Sequence, residues 1–469
     1  MVKKWLGTTL AVMLAFAMAA CSSGGADTGS NGGADGGGEA ANGSDNGGAA
    51  KEKVKLQYWT IDRHDADYIE RVIKQFNETN KDNIEVEIKI MADNYAQTVD
   101  MAYASKQTPD ILKFDPNFML KGYLEPLDEY VSDEMKAKFD GLLHEESNML
   151  QGKIYSLPNS GSSWRLIYNK ELFAKAGVEP PKTLDEMVET AKKLTEAGKA
   201  DGAYGIANNF KSGGAFHRFG MTIGAVLNGT MEGYDYKSGQ FDFSVMKPIT
   251  EAYRQMFLDG SMIPGVETLD IDPMRALFAE GKIGMYVNHS GEPGVYKNQF
   301  PSKIEWAAAP LPSLDGTVPG ASLVRGGTWL AISKESKHKE EAWKFLEYMY
   351  GDEVLTGYFE GGFGLSIVPS VLAKDVNPDI PGIEGFLPSA DDALYPPHPT
   401  GAAQAVLEGP DYQVELTKYI FQGGDLDKII ADLNERYIAA LKKARDNGDT
   451  TIQPMPDFDV NAIRGALVK

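Results

Sequence analysis

Segments with strand-type alternation are separated by segments of helical periodicity in the part of the chain that follows residue 53. Apolar and polar residues alternate over 54–58 and again over 84–90, as they do in half-buried strands. Between these segments, residues 69–76 place apolar side chains at helical spacing, and a third strand is predicted over 109–114. Strands that alternate with helices indicate an α/β fold with a mostly parallel sheet, whose ligands bind beyond the carboxyl ends of the strands.

The first residues of the chain are typical of a secretory leader rather than of a folded domain. Lys3 and Lys4 precede an apolar run that ends in small residues at Ala20, and this run is too short to span a membrane comfortably. Cys21 follows directly and is the only cysteine in the chain, which excludes an intramolecular disulfide or a zinc cluster built on thiolates. We therefore predict that residues 1–20 are a signal peptide.

The segment around the single cysteine resembles the lipobox of bacterial lipoproteins. Residues 18–21 carry this resemblance, which implies that Cys21 becomes the mature N-terminus and carries lipid; a secretory signal with an incidental cysteine is the alternative. Residues 22–50 contain only Gly, Ser, Ala, Thr, Asn, Asp and Glu, a composition that cannot bury apolar surface. We predict that residues 21–53 form a flexible linker between a lipid anchor and a globular body.

Composition and missing motifs exclude several classes of protein. The formal net charge of −21 argues against nucleic acid and against anionic membrane surfaces as partners. The sequence contains no Walker-type phosphate loop, no dinucleotide-binding glycine turn and no nucleophile elbow, and its histidines lack metal-ligand spacing. We therefore expect no cofactor and no metal. Residues 54–469 are too many for one small core, so two lobes are expected.

The stretch from Lys153 to Ala176 organises the rest of the chain. It contains two extended segments, 154–158 and 164–168, on either side of a small polar run at 159–163. A short helix follows, with Gly177 where a left-handed residue is needed to end it. On local signals alone, this pattern indicates either a crossing point between two lobes or an ordinary surface hairpin.

Later segments continue the pattern of strands and helices. A capping box begins a predicted helix over 184–198, and a strand is predicted over 328–332. The last strong helix is predicted over 425–443, where apolar residues recur at helical spacing. Residues 306–311 and 361–369 are extended or glycine-rich, and we predict that they form a second and a third crossing.

Aromatic and polar side chains occur together at the predicted strand ends and crossings. Sugars present apolar C–H faces together with hydroxyl groups that need donors and acceptors, so this mixture would suit them. The aromatic residues are Trp59, Trp164, Phe216, Phe219, Trp329 and Tyr395. The polar residues are Asp62, Arg63, Asp115, Asn117, Ser162, Arg218, Asn288 and Glu292. Taken singly, each aromatic residue would more often belong to a core, and each carboxylate would more often be solvated.

Short motifs along the chain resemble extracellular solute-binding proteins of family 1. These proteins are the ligand receptors of ABC importers for maltodextrins and other oligosaccharides. The matching segments, in the order and spacing of the family, are 54–59, 109–111, 122–127, 157–158, 166–170, 180–183, 278–282, 326–332 and the final amphipathic helix. The resemblance covers residues 54–445, and residues 446–469 have no counterpart in it.

The resemblance implies a periplasmic-binding-protein-like fold of type II, in which hinge strands join two α/β lobes that close on a ligand. It also implies a protein that is not an enzyme, is monomeric, and lies at the extracellular face of the membrane through its lipid anchor. Its expected partners are a sugar and the permease subunits of an ABC transporter. The expected divisions are 54–158 and 310–368 for lobe one, 159–309 and 369–445 for lobe two, and 446–469 for a C-terminal tail.

The resemblance also implies which residues contact the ligand. Carried over by position, they are Asp62, Arg63, Asp115, Asn117, Ser162, Trp164, Asn288, Glu292, Trp329 and Tyr395, and we add Arg218 as a further candidate. Trp164 and Trp329 are expected to stack on sugar rings, and the carboxylates to accept hydrogen bonds from hydroxyl groups. The aromatic residue of the maltose-binding pattern is missing over 288–292, so the resemblance does not point to a maltodextrin.

Two other functions remain open from the residues. A lipid-anchored glycan-degrading enzyme would need a pair of carboxylates, whose proximity is spatial and invisible in the sequence. An importer receptor for a peptide or a polyamine would also fit the chain, and a cationic ligand would need clustered carboxylates in the cleft. The identity of the sugar is likewise open.

Overall fold

A computed structural model of the protein describes residues 53–91, 94–211, 215–374 and 376–468. The predicted signal peptide, the lipidation of Cys21 and almost all of the predicted linker lie outside these residues. Among the helices of the described residues, none is long and apolar enough to cross a membrane.

The strands of the described residues are named β1 to β14 in chain order. They are β1 Val54–Thr60, β2 Ile84–Ile90, β3 Ile111–Lys113, β4 Met149–Leu150, β5 Lys153–Ile154, β6 Gly161–Asn169, β7 Tyr204–Ile206, β8 Tyr234–Asp235, β9 Gln240–Phe241, β10 Ile283–His289, β11 Trp306–Ala309, β12 Ser322–Gly326, β13 Leu330–Ile332 and β14 Asp392–Leu394. Two of the three strands predicted at the start of the chain, β1 and β2, have nearly the predicted bounds, and β3 is shorter.

The helices are named α1 to α17 in the same way. They are α1 Ala66–Thr79, α2 Tyr95–Ser105, α3 Pro116–Leu120, α4 Asp133–Lys138, α5 Lys170–Ala176, α6 Leu184–Gly198, α7 Thr222–Asn228, α8 Met246–Leu258, α9 Ile271–Ala279, α10 Glu292–Asn298, α11 Lys339–Met349, α12 Asp352–Glu360, α13 Pro369–Leu372, α14 Thr400–Ala405, α15 Tyr412–Gln422, α16 Leu426–Asn447 and α17 Val460–Ile463. A π-helical turn, His217–Met221, precedes α7.

The first sheet contains the strands of the N-terminal β-α-β unit. Its strand order is β13-β3-β1-β2, and β1 is parallel to both of its neighbours. β13 comes from much later in the chain and runs antiparallel to β3. Because β1, β2 and β3 are parallel, their carboxyl ends at Thr60, Ile90 and Lys113 meet at one edge of the sheet.

The second sheet is built around β6. Its strand order is β14-β12-β6-β10-β7, and β11 also pairs with β6. The first residues of β6, 161–163, pair with β12, residues 164–168 pair with β10, and residues 166–169 pair with β11, all antiparallel. The expectation of mostly parallel pairing is therefore wrong for this sheet, because the long strand β6 pairs with three antiparallel neighbours along its length.

Side chains and glycines begin and end helices at the predicted places. Thr183 Oγ1 accepts a hydrogen bond from the backbone N–H of Glu186 at 3.1 Å at the start of α6. The Glu186 carboxylate accepts in turn from the N–H of Lys182 at 2.7 Å, one residue earlier than in the usual capping box. Asp425 caps α16, and Gly177 ends α5 with a φ of 66°. These predicted helix boundaries are confirmed.

Several predicted boundaries shift. The chain continues beyond α6 in a 3₁₀ turn and reaches the left-handed conformation only at Gly202, with a φ of 64°. α16 extends to Asn447, beyond the predicted end at 443. Thr328 and Trp329 precede β13 rather than belong to it. The polar run at 159–163 is not a break between two strands, because its last three residues pair with β12 as part of β6.

The C-terminal segment, residues 449–468, packs on the rest of the protein. The ring of Phe458 lies 4.6 Å from the ring of Tyr236, between centroids. Arg464 Nη1 donates a hydrogen bond to the carbonyl oxygen of Val318 at 2.8 Å. Val460 and Ile463 pack against the same apolar cluster as the second sheet. The segment for which the resemblance had no counterpart is therefore part of the folded body.

Candidate functional site

Two cavities meet where the start of β6 lies beside the connection from β12 to β13. The larger has a volume of about 680 Å³ and the smaller a volume of about 380 Å³. Ser162, Gly327 and Thr328 line both of them. Because Ser162 belongs to the second sheet and Thr328 leads directly into the first, both sheets contribute to this junction.

Close backbone contacts hold the junction in place. The N–H of Gly327 donates to the carbonyl oxygen of Ser160 at 2.8 Å, and the N–H of Gly161 donates to the carbonyl oxygen of Leu365 at 2.8 Å. A Cβ atom on Gly327 would lie only 2.8 Å from the Ser160 carbonyl oxygen. Residues 161 and 327 are glycines, and because glycine has no side chain, the segments around 161, 327 and 365 can approach this closely.

The larger cavity combines aromatic rings with ionisable groups. Trp164 and Tyr395 line it, and Trp164 keeps 8% of its surface exposed. His217 Nδ1 lies 2.7 Å from Glu232 Oε1, and both side chains line the same cavity. Arg325 also lines it, and its side chain is exposed. Such a wall can contact an apolar face and hydrogen-bond polar groups at the same time.

Glu232 is an ionised carboxylate held in an uncommon backbone conformation. Burial opposes its ionisation, but the hydrogen bond from His217 and the nearby His398 lower its pKa to about 2. Its φ of 52° is in the left-handed region, which residues other than glycine seldom adopt. Backbone strain of this kind is concentrated at functional sites, so it marks Glu232 as a candidate ligand contact.

Glu146 also lines the larger cavity, and the C-terminal segment holds its carboxylate. Thr450 Oγ1 donates to it at 2.9 Å, and Thr451 donates to it through its hydroxyl group at 3.0 Å and through its backbone N–H. The backbone of Glu146 has a φ of 60°. The C-terminal segment therefore fixes one edge of the cavity, although it is distant in the sequence from residue 146.

The smaller cavity is lined by basic and small polar side chains. Lys113 stands at the carboxyl end of β3, and its ammonium group lies 2.9 Å from Asp62 Oδ2. Arg275 of α9 also lines this cavity and donates to the buried Glu292 carboxylate through Nε at 3.1 Å. His289 and Ser290 follow at the end of β10.

Three of the residues expected to contact a ligand line the larger cavity, and one of these also lines the smaller. They are Ser162, Trp164 and Tyr395. The Tyr395 hydroxyl accepts from the backbone N–H of Ala321 at 3.2 Å, so the ring, rather than the hydroxyl group, is the part that is free for a ligand. The other expected residues lie outside the walls of both cavities.

The two expected residues after β10 form a buried network behind the wall. Asn288 and Glu292 have no exposed surface. Asn288 Nδ2 donates to Glu292 Oε1 at 2.9 Å, and Tyr286 donates its hydroxyl proton to Glu292 Oε2 at 2.8 Å. Together with Arg275, these contacts occupy the carboxylate, so Glu292 positions Arg275 in this structure and does not itself reach either cavity.

The expected residues of the first sheet lie near its carboxyl edge. Asp62 pairs with Lys113, and Asp115 caps α3 by accepting from the N–H of Asn117 at 2.8 Å. Arg63 and Asn117 are exposed. Of this group, Asp62 is the one with a direct contact to a side chain of the cavity wall.

One expected residue, Trp329, packs inside the protein, and another, Arg218, is half-buried. Trp329 has no exposed surface, and its ring lies 5.6 Å from that of Tyr350 and 5.5 Å from that of Tyr358. Arg218 lies in the π-helical turn, where its Nη1 donates to Asn209 Oδ1 at 3.4 Å. Among the other aromatic candidates, Phe216 and Phe219 are also fully buried.

Several polar residues of the cavity walls were not anticipated from the sequence. They are Asn148, His217, Glu232, Arg325, His398 and Gln404 in the larger cavity and His64, Lys113, Asn159, Arg275, His289 and Asn298 in the smaller. Lys113 and His289 end β3 and β10, so the rule that ligands lie beyond strand ends could have found them. His217 and Glu232 lie outside the strands, and no local signal identifies them. Within the described ranges, no cluster of three or more metal-ligating side chains is present.

The fold is that of the solute-binding proteins of ABC transporters. A crystal structure of such a protein from Thermotoga lettingae, bound with α-D-tagatose, superposes with a TM-score of 0.64 at 23% identity and covers 83% of this chain and 100% of that one. The chain thus has the two-lobed α/β architecture of type II sugar-binding proteins, as the resemblance implied.

Sequence comparison gives the family. A putative binding protein of Brucella abortus (strain 2308) is 28% identical over 341 residues, which are 70% of this chain and 77% of that protein. The maltotriose-binding protein of Pyrococcus abyssi is 27% identical over 341 residues, 68% of this chain and 71% of that protein. The model of the bacterial extracellular solute-binding protein family matches residues 61–355. The chain belongs to this family.

Proposed function

We propose that the protein is the receptor of an ABC importer and binds an oligosaccharide in the two cavities that meet at Ser162, Gly327 and Thr328. The observation that carries this proposal is the junction itself, because two cavities that share a wall suit a ligand built of linked units. Each volume falls within the range of about 300–1,000 Å³ that is usual for small-molecule sites. The sugars named for the Thermotoga and Pyrococcus proteins, tagatose and maltotriose, favour a sugar as the ligand, and the second of them is an oligosaccharide.

The chemistry of the larger cavity suits sugar rings. The indole of Trp164 offers a flat apolar surface for C–H groups, and the ring of Tyr395 adds a second one. The ionised Glu232 accepts hydrogen bonds from hydroxyl groups, whereas Arg325 and Gln404 can donate them. A sugar hydroxyl both donates and accepts, so a wall with both kinds of group can orient it.

The wider setting is also proposed from the family and the sequence. Residues 1–20 are removed, Cys21 carries lipid, and the linker holds the body at the extracellular face of the membrane, where permease subunits receive the sugar. The lobes are divided at about 158, 309 and 368, and they close on the ligand as a monomer. The variant Cys21→Ala should appear in the medium, and its retention in the membrane fraction would argue against the lipid anchor.

Binding without cleavage fits the cavity better than glycoside hydrolysis does. Hydrolysis needs a carboxylic acid that is protonated near neutral pH and a second carboxylate beside it. The two carboxylates of the larger cavity are Glu146 and Glu232. Glu146 is held by Thr450 and Thr451, and the pKa of Glu232 is lowered to about 2, so Glu232 is not a general acid at neutral pH.

A cationic ligand is disfavoured by the smaller cavity. Lys113 and Arg275 line it, and a polyamine would be repelled by both. Among the described residues that line this cavity, there is no aspartate or glutamate. The clustered carboxylates that a cationic ligand would need are therefore missing from that wall.

Calorimetric titration with a panel of di- to tetrasaccharides tests the proposal. We expect at least one sugar to bind with micromolar affinity or better and to be recovered intact after prolonged incubation, as chromatography of the mixture would show. Shortened sugars in the recovered material would support the hydrolase. Failure of every sugar, with binding of a peptide or polyamine in parallel titrations, would overturn the proposal.

A further inference from the structure

Among the described residues that line the smaller cavity there are two basic side chains and no aspartate or glutamate. They are Lys113 and Arg275, and the rest of the wall consists of histidine, small polar, glycine and apolar residues. In a chain with a net charge of −21, a wall of this composition is unexpected. The hydrogen-bond capacity of each cation shows what such a wall can bind.

Lys113 is fixed in place and keeps a donor for a ligand. Its ammonium group donates to the carbonyl oxygen of Thr328 at 3.0 Å and lies 2.9 Å from Asp62 Oδ2. An ammonium group has three N–H bonds, so one remains after these two contacts. Its side chain is 20% exposed. The remaining donor is thus held at the cavity wall by two partners from different segments.

Arg275 is fixed in a similar way. Its Nε donates to Glu292 at 3.1 Å, its Nη2 donates to the same carboxylate, and its Nη1 donates to Asp272 Oδ1 at 3.2 Å. A guanidinium group has five N–H bonds, so one on each Nη atom remains. The buried carboxylate of Glu292 orients the group, and the remaining N–H bonds belong to a side chain that lines the cavity.

His289 contributes an uncharged donor. Its Nδ1 accepts a hydrogen bond from the backbone N–H of Gly291 at 3.0 Å. Burial lowers the pKa of His289 to about 4, although Glu292 opposes this shift, so the ring is neutral at pH 7. In a neutral imidazole that accepts at Nδ1, the proton is on Nε2. The ring therefore offers a second type of N–H at the same wall.

The carboxylates near this cavity lie behind its wall. Asp62 pairs with Lys113, and Asp272 and Glu292 pair with Arg275, but none of the three lines the cavity. Asp65 lies behind Tyr358, whose hydroxyl group donates to it at 3.0 Å. Coulomb energy falls with distance, so an anion in the cavity is attracted by the nearer cations more than it is repelled by the carboxylates behind them. The carboxylates among the wall residues are confined to the larger cavity, at Glu146 and Glu232.

From this arrangement we infer that the ligand is an acidic oligosaccharide whose anionic group occupies the smaller cavity, with its uncharged rings in the larger one. The anionic group is a carboxylate, as in a uronic acid, or a phosphate. Both present oxygen acceptors that match the donors of Lys113, Arg275 and His289. This inference rests on the proposed function, and it adds the charge of the ligand and the direction in which it lies.

A capture experiment with a defined mixture of sugars tests the inference. The full protein is mixed with neutral oligosaccharides, uronate oligosaccharides and sugar phosphates of two to four units, separated from unbound material, and denatured, and the released species are identified by mass spectrometry. We expect strong enrichment of the acidic species, and their masses distinguish carboxylate from phosphate. Capture of neutral sugars alone, or equally well, would overturn the inference and leave the proposed function standing. Capture of nothing would overturn the proposed function and this inference with it.

Variants at Lys113 locate the anionic group. Lys113→Met should weaken binding of the captured acidic sugar at least tenfold and have little effect on its neutral methyl ester or dephosphorylated form. Lys113→Arg should largely restore the preference for the acidic over the neutral ligand. This result would exclude a folding defect as the cause of the weaker binding in Lys113→Met. Lys121→Met removes a lysine that pairs with Asp100 on the surface, and it should change neither affinity. Equal losses for the acidic and neutral ligands in Lys113→Met would contradict the placement.

Discussion

Trp164 and Trp343 are buried to nearly the same degree, with 8% and 7% of their surfaces exposed, but only Trp164 lines the larger cavity. Trp343 packs on Tyr130, with 6.1 Å between the ring centroids. The same substitution at both positions should therefore have similar effects on the core and different effects on the ligand. This pair separates binding from stability.

We predict that Trp164→Phe lowers ligand affinity about tenfold, because the smaller ring loses contact area with a sugar face. Trp343→Phe should leave affinity unchanged, and both variants should lose a similar, modest amount of thermal stability. Calorimetry and thermal unfolding of the two variants measure these effects. Equal affinities in the two variants would show that Trp164 does not contact the ligand.

His398 should make stability depend on pH. Burial lowers its pKa in the folded protein from 6.5 to about 4. Between these values the unfolded chain binds more protons than the folded one, so stability is present above about pH 6.5 and is lost as the pH falls toward 4. At pH 5 this loss amounts to about 2 kcal/mol.

The variant His398→Asn cannot titrate, so its free energy of unfolding should fall less than that of the wild type between pH 8 and pH 5. Denaturant unfolding of both proteins at the two pH values measures the difference, and the values at pH 8 serve as the reference. Parallel losses in the two proteins would show that His398 titrates normally in the folded state.

The sequence could indicate some cavity residues and not others. Trp164 is in a strand whose extended pattern is visible locally, whereas Ser162 was assigned to the polar run before that strand and in fact belongs to it; both line a cavity. Glu292 was expected to contact the ligand, but it is buried and its carboxylate accepts from Arg275, which precedes it by 17 residues and belongs to another helix. Contacts of this kind form only when the chain folds, so a single sequence does not contain a local signal for them.

At the level of elements, the C-terminal segment links two distant parts of the protein. Residues 449–468 follow α16, cover Tyr236, and reach the Glu146 carboxylate at the edge of the larger cavity. Partly buried apolar side chains of the segment pack on the main core, among them Met455, Phe458 and Val460. The segment should therefore contribute to stability and hold the loop around Glu146.

We predict that truncation after residue 448 lowers the free energy of unfolding by roughly 3 kcal/mol or more, because several apolar side chains lose their burial. Ligand affinity should fall as well, since Glu146 loses its hydrogen bonds to Thr450 and Thr451. Thermal unfolding and calorimetry measure both effects. Removal of residues 468–469 alone is the control, and an unchanged melting temperature after the longer truncation would contradict the role of the segment.

Helix starts and ends were predictable because their signals are local. Thr183, Asp425 and Gly177 act through neighbouring backbone groups, and they end or begin helices where expected. The pairing of β6 was not predictable, because its three neighbours come from residues 283–289, 306–309 and 322–326. The alternation within a strand indicates which side chains face the core, but it does not indicate which strand pairs with it.

At the level of the whole molecule, the fold brings elements of both sheets to one junction. Lys113 ends β3 of the first sheet, His289 ends β10 of the second, and both line the smaller cavity. Thr328 lines both cavities just before β13. A ligand that contacts all three would hold the two sheets together, which is how closure of the lobes would be coupled to binding.

A crystal structure of the protein grown with its captured oligosaccharide tests the central claim most directly. We predict that the sugar runs past Ser162 and Thr328, with a ring on the indole of Trp164 in the larger cavity and its anionic group within hydrogen-bond distance of Lys113 in the smaller one. A sugar found elsewhere, for example in the separate cavity beside Trp306, with the junction free of ligand, would contradict the account.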